Sequence, residues 1–132
     1  MAGTQKMRYH PGIITVVDDL VDRLGLELGI DTIAFNANYT PDHENGSIKE
    51  MAALTGAVTV NAPLVNTKGA LLGFIWVQDG VGGRVVTYNA IYKTGGLAAF
   101  VTTLSTVTID LFLCNSAATA WRGLFRVTGQ AI

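Results

Sequence analysis

The run Gly-Phe-Ile-Trp-Val-Gln-Asp-Gly-Val-Gly-Gly-Arg-Val-Val-Thr-Tyr, residues 73–88, decides how the rest of the chain is read. Side chains of an extended strand point alternately to opposite faces, so Phe74, Trp76 and Gln78 share one face and Ile75 and Val77 the other. Asp79-Gly80 and Gly82-Gly83 offer the positive-φ positions of a tight reversal, and Val85, Thr87 and Tyr88 suit a returning strand. The stretch therefore predicts a β-hairpin whose turn is Asp79, Gly80, Gly82 and Gly83. Its glycines do not form a phosphate cradle, because no helix signal follows them and no Gly-Lys-Ser/Thr is present.

Outward from this hairpin the pattern stays extended. Residues 54–60 alternate Leu54, Gly56, Val58 and Val60 with Thr55, Ala57 and Thr59, an apolar face backed by hydroxyls. Residues 61–69 form a loop with a turn at 66–69. After the Gly95-Gly96 break and the β-branched residues 102–106, Val107, Ile109, Leu111 and Leu113 alternate with Thr108, Asp110 and Phe112 in the cleanest strand of the chain. Residues 115–119 turn it, and 121–127 return as its hairpin partner. Towards the N-terminus, residues 30–39 alternate as a strand and 40–47 form a loop with a turn at Asn45-Gly46. Val17, Leu20, Val21 and Leu24 recur at helical spacing, predicting a short helix over 18–24 stopped by Gly25. Residues 1–12, ending in His10-Pro11-Gly12, read as an extended arm. The chain shows no internal repeat of fixed period.

These elements predict a mainly β protein, an antiparallel β-sandwich or jelly-roll-like knob over residues 51–132, preceded by an arm and anchoring segment over residues 1–50. Its 132 residues suit one domain with an appended arm. Only 14% of residues are charged, 49% are hydrophobic, and the mean hydropathy is +0.37. Nineteen charged side chains cover a monomer surface thinly, so burial of surface against copies of the chain or a larger assembly is expected. Residues 1–50 hold eight acids against four bases, a net −4, and the remainder nets +3. No basic run or aromatic-basic stripe points to nucleic acid. The lone Cys114 excludes an intrachain disulfide and reads as a small core side chain. The polar N-terminus lacks the apolar segment of a signal peptide, and no apolar stretch is long enough to cross a membrane as a helix. A product of the host cytoplasm is expected.

Taken together, the runs at 54–63, 77–88, 92–96, 104–106, 110–112 and 121–123 resemble the small β-domain of many tailed-phage structural proteins. The Gln-Asp-Gly-x-Gly-Gly-Arg-x-Val-Thr segment, starting at Gln78, is the most specific part. The family often has tryptophan where Tyr88 stands, and a proline shortly before the Leu104-Ser105-Thr106 run. The resemblance covers more than half of the chain. It implies a tight homotrimer located on the virion, either as a capsid decoration (cement) protein or at the end of a tail fibre or tailspike. It further implies the major capsid protein as partner for a decoration protein, and host surface glycan for a fibre tip. Only about fifty residues precede the knob, which favours decoration over a fibre subunit with its shaft.

Chemistry-bearing residues are few. His10 and His43 are the only histidines, and no nucleophile elbow surrounds Ser47, Ser105 or Ser116. Asp42-His43-Glu44-Asn45-Gly46 lacks the spacing of a calcium loop and reads as a solvated turn. Asp79 and Asp110 are the only acids beyond residue 50, too few for an acid pair, so a glycan-degrading enzyme is the remote alternative. No enzyme activity, catalytic residue, metal or cofactor is expected. Trp76, Tyr88, Phe112 and Trp121 are expected in the core or at the trimer interface. An exposed aromatic platform for sugars formed by Trp76, Tyr88, Tyr92 and Trp121 is the weaker reading. Lys6, Arg8, Tyr9 and His10 are the expected capsid contacts of the arm.

Overall fold

The computed structural model describes residues 29–132. The expected arm, the helix at 18–24 and the contacts Lys6, Arg8, Tyr9 and His10 lie outside the described residues. Among the described residues strands dominate, and helix is confined to one short 3-10 turn, His43–Asn45. The strands are β1 (Ile30–Ile33), β2 (Asn38–Tyr39), β3 (Ile48–Met51), β4 (Val58–Val60) and β5 (Leu71–Val77), then β6 (Val86–Tyr88), β7 (Tyr92–Lys93), β8 (Thr106–Cys114) and β9 (Trp121–Ala131).

The strands up to β6 wind as a β-solenoid-like stack rather than as antiparallel hairpins. β1, β3 and β5 pair side by side in parallel, and β2, β4 and β6 do the same in a second sheet. The chain therefore passes from one sheet to the other and back, and each pass lays a strand on the previous one. Register gives the coil lengths: 18 residues from Ile30 to Ile48 and 25 from Ile48 to Gly73, against 21 from Asn38 to Thr59 and 28 from Thr59 to Thr87. Unequal coils leave no fixed period, so the stacking is invisible to a search for repeats.

The hairpin expected over residues 73–88 is not formed. β5 pairs with β3 and β8, and β6 with β4, so the two arms belong to different sheets. The glycine-rich turn is a corner between sheets. Glycine and aspartate supply the same backbone conformations to a corner as to a hairpin, and local sequence does not distinguish them. The division at residue 50 likewise falls inside β3, whose residues pair with both β1 and β5. Residues 30–51 thus belong to the same stack as the rest.

Antiparallel structure enters only after the stack. β8 pairs antiparallel with β5 and then with β9, as the sequence predicted for that hairpin, and β7 adds to β9 in parallel. The larger sheet has the order β1-β3-β5-β8-β9-β7, and the smaller β2-β4-β6. Between them lies the core. Leu72, Phe74 and Trp76 of β5 and Phe112 of β8 meet Val58, Val60 and Val86 of the smaller sheet. Phe74 stacks on Trp76 at 5.3 Å between ring centroids and meets Phe112 edge-on at 6.0 Å. Buried Cys114 is unpaired.

In β8 the inward face is Thr106, Thr108, Asp110, Phe112 and Cys114, while Val107, Ile109, Leu111 and Leu113 face out and stay half-buried. This reverses the polarity expected of an amphipathic strand, in which the aliphatic face goes to the core.

Candidate functional site

The corner at residues 78–84 is closed by its own side chains. The Gln78 amide, 2% exposed, donates to the Arg84 carbonyl at 2.7 Å and accepts from the Arg84 N–H at 3.0 Å. Asp79 Oδ1 accepts from the N–H groups of Val81 and Gly82, and its Oδ2 accepts from Arg84 Nη2 at 2.8 Å. At Gly82, φ is +75° and an added Cβ would lie 2.7 Å from the Leu104 nitrogen, so both conformation and space demand glycine. The Gln-Asp-Gly-Val-Gly-Gly-Arg run is thereby explained as a self-satisfied corner. Gly80 and Gly83 complete it without close contacts.

The Arg84 guanidinium, followed by the Gly82 amide, holds the Asp79 carboxyl down at about 2. A carboxylate whose folded value is depressed stabilises the fold above its unfolded value, near 4, and loses that contribution as pH falls towards 2. Titration followed by the Gly82 amide resonance should show a midpoint near 2. A midpoint near 4 would mean that the Asp79–Arg84 contact is not formed in solution.

A second polar cluster is sealed in the core. Trp76 Nε1 donates to the Tyr88 hydroxyl at 2.8 Å, and that hydroxyl donates to Asp110 Oδ2 at 2.5 Å. Arg126 donates from Nε to Asp110 Oδ1 at 2.6 Å, from Nη2 to Oδ2 at 2.9 Å and from Nη1 to the Ala98 carbonyl at 2.7 Å. Asp110 is 0% exposed and the Arg126 side chain 7%. Burial, then the Asp110 charge, pushes the Tyr88 phenol well above its ordinary value. The Asp110 bonds raise Arg126 against the opposing effect of burial. With every strong donor committed, this cluster links β5, β8 and β9 to β6 across the core. It braces the two sheets against each other.

The structure places Trp76, Phe112 and Trp121 inside the monomer at no more than 1% exposure, with Tyr88 against them. They fill the core and cannot reach an interface without unfolding. An aromatic sugar platform is not formed from these rings, since Tyr92 is buried as well. His43 lies on the 3-10 turn, its Nε2 bonded to Thr67 Oγ1 and its ring 5.8 Å from that of Trp121. Asp42 caps that turn through the Glu44 N–H. A 430 Å³ groove beside Tyr88, Leu97, Phe100 and Arg126 is open to solvent. Its two strongest polar groups are those already spent in the brace. Among the described residues, no three metal-ligating side chains cluster.

The outer face of the larger sheet has the opposite character. Register sets Ile30, Ile48, Gly73, Leu111 and Phe125 side by side across five strands. A neighbouring row holds Thr32, Glu50, Ile75, Ile109 and Val127. Gly73 lets the rows knit together: a Cβ there would lie 2.6 Å from Ile48 Cδ1 and 3.4 Å from Leu111 Cδ1. Ile30, Phe125 and Val127 remain 58%, 47% and 39% exposed. These residues were missed in the sequence because an alternating strand ordinarily turns its aliphatic side to the core and its polar side, here carrying Asp110 and across from it Arg126, to water. Here Trp76 and Tyr88 close over that pair and the aliphatic side is left outside. The apolar alternation at 107–113 was the available signal; what it lacked was the direction of the core.

No family model, no curated protein and no solved structure matches the chain.

Proposed function

We propose that the protein is a non-catalytic structural component of a tailed-phage virion, working as a homo-oligomer that decorates the capsid and bridges coat subunits. The observation that carries the structural part of this reading is the aliphatic outer face of the larger sheet, which suits an assembling protein and has no use in an isolated one. The phage assignment rests on the resemblance centred on residues 78–87, and the homotrimer on that same resemblance. The brace and the self-satisfied corner support the reading, because their polar groups are spent on rigidity. The sheet pair supplies the knob, and the segment before it the capsid contact. Its action is mechanical: binding that occurs only on the assembled lattice stabilises that lattice by mass action.

Gold-labelled protein imaged on particles by electron microscopy tests this reading. Label on the head is expected. Label confined to the tail would replace decoration by a receptor-binding tip contacting host glycan, and unlabelled particles would discard the virion assignment. Deleting residues 1–12 is expected to leave soluble oligomers that no longer bind capsids; undiminished binding would remove the arm from the contact.

A further inference from the structure

We infer that the outer face of β5, β8 and β9, extended by β3 and β1, is a self-association surface whose occupant is the same face of a second copy of this chain. Like faces pair about a two-fold axis and give a dimer, a contact distinct from the threefold assembly that the resemblance implies, so the inference can stand if the virion assignment fails.

Size is the first reason. Five strands about 4.8 Å apart, the long ones carrying seven paired residues at about 3.4 Å each, give a planar footprint of roughly 500 Å². Two such faces bury about 1,000 Å² together, and the corrugation of side chains adds to it; that is the lower bound of a specific interface. Shape is the second. Sheets pack face to face through rows of aliphatic and aromatic side chains about 10 Å apart, and the rows through Leu111–Phe125 and Ile109–Val127 are of that kind. The knitted contact of Ile48 and Leu111 over Gly73 gives the centre of the face an even, closely packed surface.

Charge is the third reason, and it selects a copy over an unrelated partner. The charged side chains that register places on this side of the sheet are Glu50 on β3, beside Ile75, against Arg122 on β9, beside Leu113, and Lys93 on β7, beside Arg122. One surface thus carries an acid on one flank of its β5–β8 middle and bases on the other, both members of the ion pairs needed across an interface between copies.

Light scattering of the purified chain, without capsids, tests the inference. The wild type is expected at twice 14.0 kDa near 100 µM. Ile109→Lys, which sets an ammonium in the middle of the face while its flexible stem reaches solvent, should lower the association constant at least a hundredfold. Phe125→Lys, at a more exposed position, serves as the second variant if the first does not fold; near-ultraviolet circular dichroism of the buried Trp76 and Trp121 reports folding in each. Val81→Lys, at a 73% exposed position on the corner loop, should leave the mass unchanged. A monomeric wild type would overturn the inference, as would folded Ile109→Lys and Phe125→Lys proteins of wild-type mass, or dissociation by Val81→Lys to the same extent. Absence of label from particles would discard the virion reading alone.

Discussion

Asp110→Ala is expected to be the most destabilising single substitution in the brace. The variant removes both carboxylate oxygens that hold Arg126 and the acceptor that takes the Tyr88 proton; Asp110 and the Arg126 side chain are buried and Tyr88 is half-buried. Breaking a buried ion pair from one side costs about 3–5 kcal/mol, because the remaining charge has neither partner nor water. Domains of this size are stable by about 5–15 kcal/mol in total, so at least about a fifth of the margin disappears. Urea unfolding followed by circular dichroism measures the loss, and a cost below about 1 kcal/mol would show that the brace is wet in solution. The paired replacement Asp110→Leu with Arg126→Met is expected to be far milder than Asp110→Ala, since it leaves no orphaned charge and the pair itself contributes little beyond an apolar substitute.

Trp76→Ala should cost nearly as much by a different route. Removing a large buried ring leaves a cavity and takes away its transfer free energy, about 3–5 kcal/mol. It also removes the stacked partner of Phe74 and the N–H that Tyr88 accepts. For a domain near 100 residues each kcal/mol shifts the melting temperature by about 4–8 °C, so a fall of well over 10 °C is expected by calorimetry. Trp76→Phe, which keeps an aromatic ring, should fall less and leave the oligomer mass unchanged. Ile109→Lys should do the reverse, altering mass with little change in the monomer's own stability. If Trp76→Phe dissociated the oligomer and Ile109→Lys did not, the assignment of inside and outside made here would be wrong.

Much of the secondary structure was legible along the chain. The β8–β9 hairpin follows from alternation over 107–113, a polar turn at 115–119 and a returning strand, and it forms with register shifts at Val107/Ile109 and Leu111/Phe112. The turns expected at 45–46 and 66–69 rest on glycines that adopt positive φ, Gly46 and Gly69, although the second closes one residue later, where the Ala70 N–H donates to the Thr67 carbonyl. The corner at 78–84 was recognised as a reversal through the same chemistry. Its partner strands were not, since an aspartate–glycine turn reads alike whether the next strand folds back beside the last or crosses to another sheet. Parallel pairing joins residues 18 to 28 apart through coils of unequal length, and no short-range signal records it.

The candidate surface shows the same division. Sequence alone determined that the protein is mainly β, that residues 78–84 reverse the chain, and that so few charges leave apolar surface to be covered. These properties depend on local backbone preference and on composition, which a one-dimensional reading contains. Tertiary structure alone decided that residues 73–88 are two strands of two sheets, and that Trp76, Phe112 and Trp121 belong to the monomer core. It also decided that Ile109, Leu111, Phe125 and Val127 face outward. The physical reason is that a strand has two faces and its sequence does not say which one meets the core. That depends on Tyr88 arriving from the other sheet to accept from Trp76 and bind Asp110, which makes the polar side of β8 the dry one.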